Sequence, residues 1–215
     1  MFLVKSVIAL YNILNLPLFL QVFDIETYFD KSVLKDGMDS LFRCQVDGKL
    51  YRLWYKMNRN NQIKVKTAAG VSNVEATGEN ITQGSVGSGI LSSASLDKTM
   101  TRYFDGSQEI SYVDLRLSPI NFQDDSARLS DSVENVQKGN IIMESVMKRK
   151  QLSLNISKCC VIPFEKGKKR EELKKEINSK KIFSLCGETI TAKDHYVYLG
   201  ETLHGGGLSK SAEMQ

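Results

Sequence analysis

Asp24, Asp124 and Asp125 are the side chains of this sequence best suited to chemistry. Each closes an apolar run. Val22 and Phe23 lead into Asp24 in "QVFDIETYFD", and Ile120 and Phe122 lead into the Asp124–Asp125 pair in "SPINFQDDSARLSDS". Two such strand ends on neighbouring strands would bring three carboxylates together. Ionised carboxylates a few ångströms apart repel, and burial makes the charged form costlier still. Such a cluster has two stable outcomes: raised pKa values, or divalent cations that neutralise it. Hard oxygen donors with room for water and phosphate describe a Mg²⁺ site. Two such ions roughly 3.5–4 Å apart serve in-line displacement at phosphorus. An Asp-Asp pair on a surface turn would mean nothing; the apolar strand before it and the matching Asp24 give it weight.

Helices and strands must position these residues. A short amphipathic helix is expected over residues 2–14, then Pro17, then a buried strand "LFLQVFDI". "DKSVLKDGMDSLFRC" has Val33, Leu34, Met38, Leu41 and Phe42 at the spacing of a helix with one buried face. "KLYRLWYKMNRN" repeats the pattern with Leu50, Leu53, Trp54 and Met57. "QIKVKTAAGVSNVEATG" alternates like a β-hairpin around Gly70. "QGSVGSGILSSASL" reads as a loop and a helix start, and a polar turn at Asp105 and Gly106 leads into "ISYVDLRLSPINF", the strand entering the acidic pair. Beyond it, residues 132–150 read as a helix with Val133, Val136, Met143, Val146 and Met147 inward. "LSLNISKCCVIPF" is strand-like, "KGKKREELKKEINSKK" a charged, solvated amphipathic helix, and "DHYVYLGETL" a last strand. One continuous alternation of strands and helices, without repeats or a Pro/Ser-rich linker, indicates an α+β or α/β single domain.

Composition sets wider bounds. The 215 residues are 41% hydrophobic and 25% charged with 3 prolines, which excludes a disordered chain. A net charge of +4 is compatible with a polyanionic partner without requiring one. Cys44, Cys159, Cys160 and Cys186 lack C-x-x-C spacing, so reduced thiols in an intracellular protein, nuclear or cytoplasmic, are expected. Lys5, Asn12, Asn15 and Pro17 interrupt the N-terminal apolar stretch before a membrane span accumulates. No signal-peptide cleavage site follows. The abrupt start beside a core strand reads as the middle of a larger protein.

Taken in order, five blocks resemble a reverse transcriptase of the non-LTR retrotransposon type. "FDIETYFD" resembles the family's first palm motif, and "TGENITQGSVGSGILSS" the second, built on Gln-Gly and small residues. "FQDD" stands where the family carries Y-x-D-D. "LSLNISKCCVI" resembles the fourth motif with its lysine, and "YVYLGETL" the fifth. The match covers residues 17–205. Phe122 replaces the usual Tyr and Gln123 is unusual at the variable position, but neither change removes a metal ligand.

The resemblance implies a right-hand polymerase palm over residues 1–215: an antiparallel sheet backed by helices, partial fingers at about 43–100, and a thumb absent or truncated. It implies RNA-directed DNA polymerase activity with two Mg²⁺ ions (Mn²⁺ possible) held by Asp24, Asp124 and Asp125. Lys158 would sit near the leaving pyrophosphate, where a cation or proton donor offsets developing charge. Phe29 would pack against the sugar and reject a 2′-hydroxyl. Gln83 and Gly84 would lie beside the templating base pair and incoming nucleotide, where backbone must approach closely. Tyr198, Leu199 and Gly200 would form the turn that holds the primer 3′ end. The implied partners are an RNA template, a DNA primer and dNTPs, with the remaining fingers and thumb supplied by a parent polyprotein, and no membrane. Two alternatives stay open: a retroelement remnant that binds nucleic acid without catalysis, and a Mg²⁺-dependent nuclease.

Overall fold

The structure is a computed structural model that describes residues 2–59, 62–76, 80–81, 84, 87–104, 120–122, 125–165 and 167–206. The chain divides into two compact units, one comprising Met1–Glu26 with Met100–Gln215 and the other Thr27–Thr99. The first unit opens with helix α1 (Phe2–Leu14), whose Val4, Val7, Ile8 and Tyr11 are buried. Their i, i+3, i+4, i+7 spacing makes one apolar stripe. The helix stops where Asn15 takes φ 53° and the Leu16 N–H closes onto Tyr11 O at 3.0 Å, a left-handed C-terminal turn that Pro17 seals. Strand β1 (Leu18–Glu26) follows, buried over most of its length.

The second unit holds α2 (Tyr28–Lys31), α3 (Leu34–Arg43), α4 (Gly48–Asn58), the two-residue strands β2 (Gln62–Ile63), β3 (Lys66–Thr67), β4 (Gly70–Val71) and β5 (Glu75–Ala76), and the start of α5 (Ser88–Phe104). Leu34, Met38, Leu41, Ile81 and Leu91 form its core, with Phe29, Tyr51 and Trp54 packed against them. Gly37 lets α3 and α5 approach closely, since a Cβ there would lie 2.9 Å from Leu91 O. The hairpin expected around Gly70 forms as β3–β4, with β2 pairing β5 outside it. The buried face expected of α4 differs from the one observed. Tyr51 and Trp54 turn inward, whereas Leu50, Leu53 and Met57 are exposed. Two flat aromatic side chains cover more of the small core than three aliphatic ones, and the helix can offer only one face.

The remaining elements of the first unit are β6 (Ile120–Phe122), β7 (Asp125–Ser130), α6 (Val133–Lys150), β8 (Ser153–Leu154), β9 (Cys160–Phe164), α7 (Lys168–Lys180), β10 (Ser184–Leu185), β11 (Glu188–Thr189), β12 (Thr191–Ala192), β13 (His195–Tyr198) and β14 (Glu201–His204). The sheet runs β12-β9-β1-β7-β6, with β8 also pairing β1. All its pairings are antiparallel except β12 with β9. The expected turn at Asp105 and Gly106, and the strand residues before Ile120, lie outside the described residues. "DHYVYLGETL", expected as one strand, is a hairpin of β13 and β14. "DSARLS", given no element in the sequence reading, is the strand next to β1.

Side-chain alternation along β1 divides the sheet into two faces. Leu18, Leu20 and Val22 pack with Ala127, Leu129, Cys160 and Ile162 against α1 and against Tyr198 and Leu203 of the hairpin. On the other face Gln21 donates to Val136 O (2.9 Å) and Asn140 Oδ1 (2.8 Å) of α6, and Phe19 meets Phe183 edge-on at 6.4 Å. Arg128 is buried there, in no ion pair among the described residues. Its guanidinium donates to Gln21 Oε1, to Ser130 Oγ (2.6 Å) and to Asn135 O (2.8 Å), and lies 5.6 Å from the Phe104 ring centre. Ser132 caps α6 by accepting from the Asn135 N–H at 3.2 Å, as N-cap serines do.

Gly139 of α6 gives this guanidinium its room: a Cβ there would collide with Arg128 and come within 3.0 Å of Gln21 Oε1. Gly139→Ala is expected to lower stability by about 2–4 kcal/mol in urea unfolding, despite the ~1 kcal/mol alanine usually adds to a helix. The thiols give a second test. Burial pushes Cys159 and Cys160 up to about 11, while Cys44 and Cys186 are exposed. At pH 8 a thiol-specific disulfide reagent should modify Cys44 and Cys186 at once and the buried pair only on unfolding. Thiols whose pKa is raised by folding stabilise fully below the unfolded value and lose that contribution as pH climbs through the folded one. The urea midpoint of Cys159→Ala/Cys160→Ala should therefore fall less than wild type between pH 9 and 11.

Candidate functional site

The two neighbouring strands bring Asp24 and Asp125 directly opposite each other. In the β1–β7 ladder the register runs Phe19↔Ser130, Leu20↔Leu129 and Gln21↔Arg128 to Asp24↔Asp125. Paired residues of an antiparallel ladder share a face, with Cβ atoms roughly 4.5–5.5 Å apart. Asp24 continues the row Leu18, Leu20, Val22, and Asp125 the row Leu129, Ala127. Both carboxylates thus sit at the end of the apolar face that α1 and the β13–β14 hairpin cover. Asp124 lies outside the described residues, as does Gln123. Among the described residues no three His, Cys, Asp or Glu gather as a metal-ligating group.

The backbone around Asp24 is built to expose its side chain on one edge only. β9 pairs β1 up to Val22↔Cys160, and β8 takes over from Ile25↔Leu154. In the gap the Asn155 N–H donates to Asp24 O at 2.9 Å, and residues 155–158 fold into a turn closed by the Lys158 N–H on Asn155 O at 3.0 Å. Ser157 Oγ bonds Asn155 Oδ1 at 2.7 Å within that turn. The turn brings Lys158 Nζ to 3.5 Å from Asp24 Oδ2, the lysine side chain 62% exposed and the aspartate 14%. An ion pair so open to water adds at most about 1 kcal/mol to stability, so the lysine stays available to another anion.

The hairpin supplies the opposite wall. Leu199 (φ 51°) and Gly200 (φ 79°) form its two-residue turn, with Tyr198 paired to Glu201. Two left-handed residues in succession are the type I′ connection that matches strand twist. Tyr198 is wholly buried, and its hydroxyl donates to Ile120 O at 3.1 Å. Its ring therefore fastens the hairpin to β6, and the turn's outer surface belongs to Leu199 and Gly200. Burial raises the pKa of Tyr198, and burial followed by the charge of Asp125 pushes Tyr196 up to about 12. Tyr196 and the Asn155 turn were not singled out in the sequence. Asn155 with Ser157 two residues on is an ordinary turn signal, and nothing in the spacing ties it to Asp24.

In the other unit Phe29 is half-buried against the core cluster, its ring 5.9 Å from that of Tyr28. Gly84 occupies an exposed turn at φ 78°, a conformation open mainly to glycine. Gln83 lies outside the described residues. No helix among the described residues is long and apolar enough to cross a membrane.

No family model matches the chain, and no curated protein matches it. Among solved structures it is similar to apo telomerase from Candida tropicalis truncated from its C-terminal domain, with TM-score 0.62 and 14% identity over 94% of this chain and 38% of that one. It is also similar to telomerase from Candida albicans in complex with a TWJ fragment of telomeric RNA, with TM-score 0.61 and 12% identity over 94% of this chain and 32% of that one. The chain thus spans about a third of the length of these telomerases. At such identities the likeness is one of fold: a mixed α+β sheet-and-helix arrangement of the kind these telomerases contain.

Proposed function

We propose that this chain is a reverse-transcriptase palm of the non-LTR retrotransposon type, catalysing RNA-templated addition of nucleotides to a primer 3′-hydroxyl. The facing pair Asp24↔Asp125 at the end of one sheet face carries the reading, and the telomerase-like fold around it supports it. The donor set fits a divalent metal. Two facing carboxylates present hard oxygens, one is largely shielded from water, and the cation beside it at 3.5 Å is exposed and movable. Asp24 and Asp125, with Asp124, would hold Mg²⁺ (or Mn²⁺). When bound, the metal lowers the pKa of the attacking hydroxyl and neutralises phosphate charge.

In this reading the primer hydroxyl attacks the α-phosphate of a dNTP and pyrophosphate leaves. Lys158 hydrogen-bonds the departing pyrophosphate, offsetting charge that grows as the bond breaks. Leu199 and Gly200 hold the primer end, with Tyr198 fixing the hairpin from the core. Phe29 rejects ribonucleotides by occupying the space of a 2′-hydroxyl, and Gln83 and Gly84 lie against the nascent pair. An RNA template and a DNA primer are the partners. The full activity also draws on fingers and thumb from the longer parent polyprotein.

Primer extension on an RNA template with dNTPs and Mg²⁺ tests this in the protein that carries the chain in its full reading frame. Asp24→Asn and Asp125→Asn should each lower incorporation at least ~1000-fold, with filter binding of the template–primer unchanged. Lys158→Ala should lower it by about 100-fold. Undiminished incorporation by Asp24→Asn would overturn the assignment. Binding without extension by the wild type would favour a non-catalytic remnant, and cleavage of primer without dNTPs a nuclease.

A further inference from the structure

The sequence from residue 48 to 74 contains six lysines and arginines and no aspartate or glutamate. Its helical part is α4. At 3.6 residues per turn, Lys49, Arg52 and Lys56, with Arg59 at the C-cap, fall on one side of the helix. All four are exposed, and none is held in an ion pair among the described residues. Beside this stripe the Tyr55 ring is 37% exposed with the Arg59 guanidinium 5.5 Å from its centre. Leu50, Leu53 and Met57 line the adjoining arc, 52%, 54% and 45% exposed. The helix is anchored on its other side, where Tyr51 and Trp54 pack against the core and Asn58 is buried.

The lysine-rich α7 is a different object. Arg170 and Lys174 pair with Glu171, Lys174 also with Asp194, and Lys180 with Glu176. Three of that helix's six cations are thus held in ion pairs and its sequence carries no aromatic residue, whereas α4 presents its cations around a flat aromatic ring and an apolar strip.

We propose that the outward side of α4 is a docking surface for single-stranded RNA, a role that rests on the reading of this chain as RNA-templated. Lys49, Arg52, Lys56 and Arg59 meet phosphates, which releases counterions. Tyr55, with the Arg59 guanidinium beside it, offers a platform on which an unpaired base stacks. Unpaired strands alone present base faces, and the apolar strip accommodates base and sugar edges. An anionic membrane would also attract the basic stripe, but an interfacial helix buries its bulky aromatics in lipid, and here Trp54 is turned into the protein core.

The test measures fluorescence anisotropy of a labelled, unstructured 20-nucleotide RNA with the whole chain, without dNTPs or divalent metal. Lys49→Gln, Arg52→Gln, Lys56→Gln and Arg59→Gln together keep good helix formers. They should weaken binding at least ten-fold and reduce the slope of log affinity against log salt by roughly 3, four contacts at ~0.7 each. Tyr55→Leu should weaken binding about ten-fold with the slope unchanged. Removing the same amount of charge from α7 (Lys168, Lys169, Lys175 and Lys180 to Gln) should change the affinity less than three-fold. Equal losses from the two quadruple variants, or tighter binding to phosphatidylserine vesicles than to RNA, would overturn the proposal. Should the α4 variant lose its helical circular dichroism, crosslinking of 4-thiouridine RNA to the wild type decides: adducts within residues 49–66 support the surface, and adducts only elsewhere refute it. Because no incorporation is measured, loss of polymerase activity in Asp24→Asn and loss of RNA binding at α4 are independent results.

Discussion

Two carboxylates facing each other across an antiparallel ladder push their strands apart, and β1 and β7 hold Asp24 and Asp125 in that relation through the rest of their register. Three residues before Asp24, Gln21 stands opposite Arg128. The Gln21 carbonyl accepts from the guanidinium while its amide reaches Val136 O and Asn140 Oδ1 of α6. A slip of one residue would send Arg128 to the dry face shared by Leu20, Val22 and α1, leaving a charge in the apolar core without acceptors. Burying an unpaired charge is far more expensive than the repulsion between two partly hydrated carboxylates. The polar cluster on one side of the sheet therefore fixes the acidic pair on the other.

That cluster solvates its cation with neutral oxygens. Burial presses the Arg128 pKa downward and the more distant charge of Asp131 opposes it. A carboxylate placed against the guanidinium would have added Coulomb attraction and a second desolvation penalty, and such pairs often gain nothing over neutral packing. Ser130, Gln21 and the Asn135 carbonyl act instead as a fixed solvent shell, with the Phe104 ring beside it. Gly139 is part of the same arrangement, since the guanidinium occupies the space of its missing side chain.

Much of this is legible in the residue order and some is not, for physical reasons. β1 and α1 declare themselves through uninterrupted or 3.6-periodic apolar residues, and α6 does so through Val136, Met143, Val146 and Met147. β7 does not: "DSARLS" alternates small apolar with polar residues, and the polar ones are buried because they hydrogen-bond to Gln21 and Asn121. Periodicity reads hydrophobicity and is blind to a satisfied polar core. α4 fails in the opposite way, since its sequence offers two apolar stripes and only packing chooses between them. Of the candidate site, the acidic close of the apolar run at Asp24 could be read from pattern alone, whereas Asp125, expected to end the strand before it, instead opens β7, and the Lys158 contact depends on a turn whose partner lies on another strand.

That turn also explains how a charged side chain can stand in the middle of a sheet. A β9 continued in the same register would set Cys159 opposite Phe23 and Lys158 opposite Asp24, closing the second edge of the strand beside the carboxylate. The ladder instead breaks between Val22 and Ile25, and the Asn155 N–H satisfies the Asp24 carbonyl that the break would orphan. The Asp24 carbonyl keeps a partner, while a gap one turn wide admits the Lys158 ammonium. The handover from β9 to β8 thus separates two demands that a regular strand cannot meet together: an intact hydrogen-bond ladder, and an acid reachable from solvent.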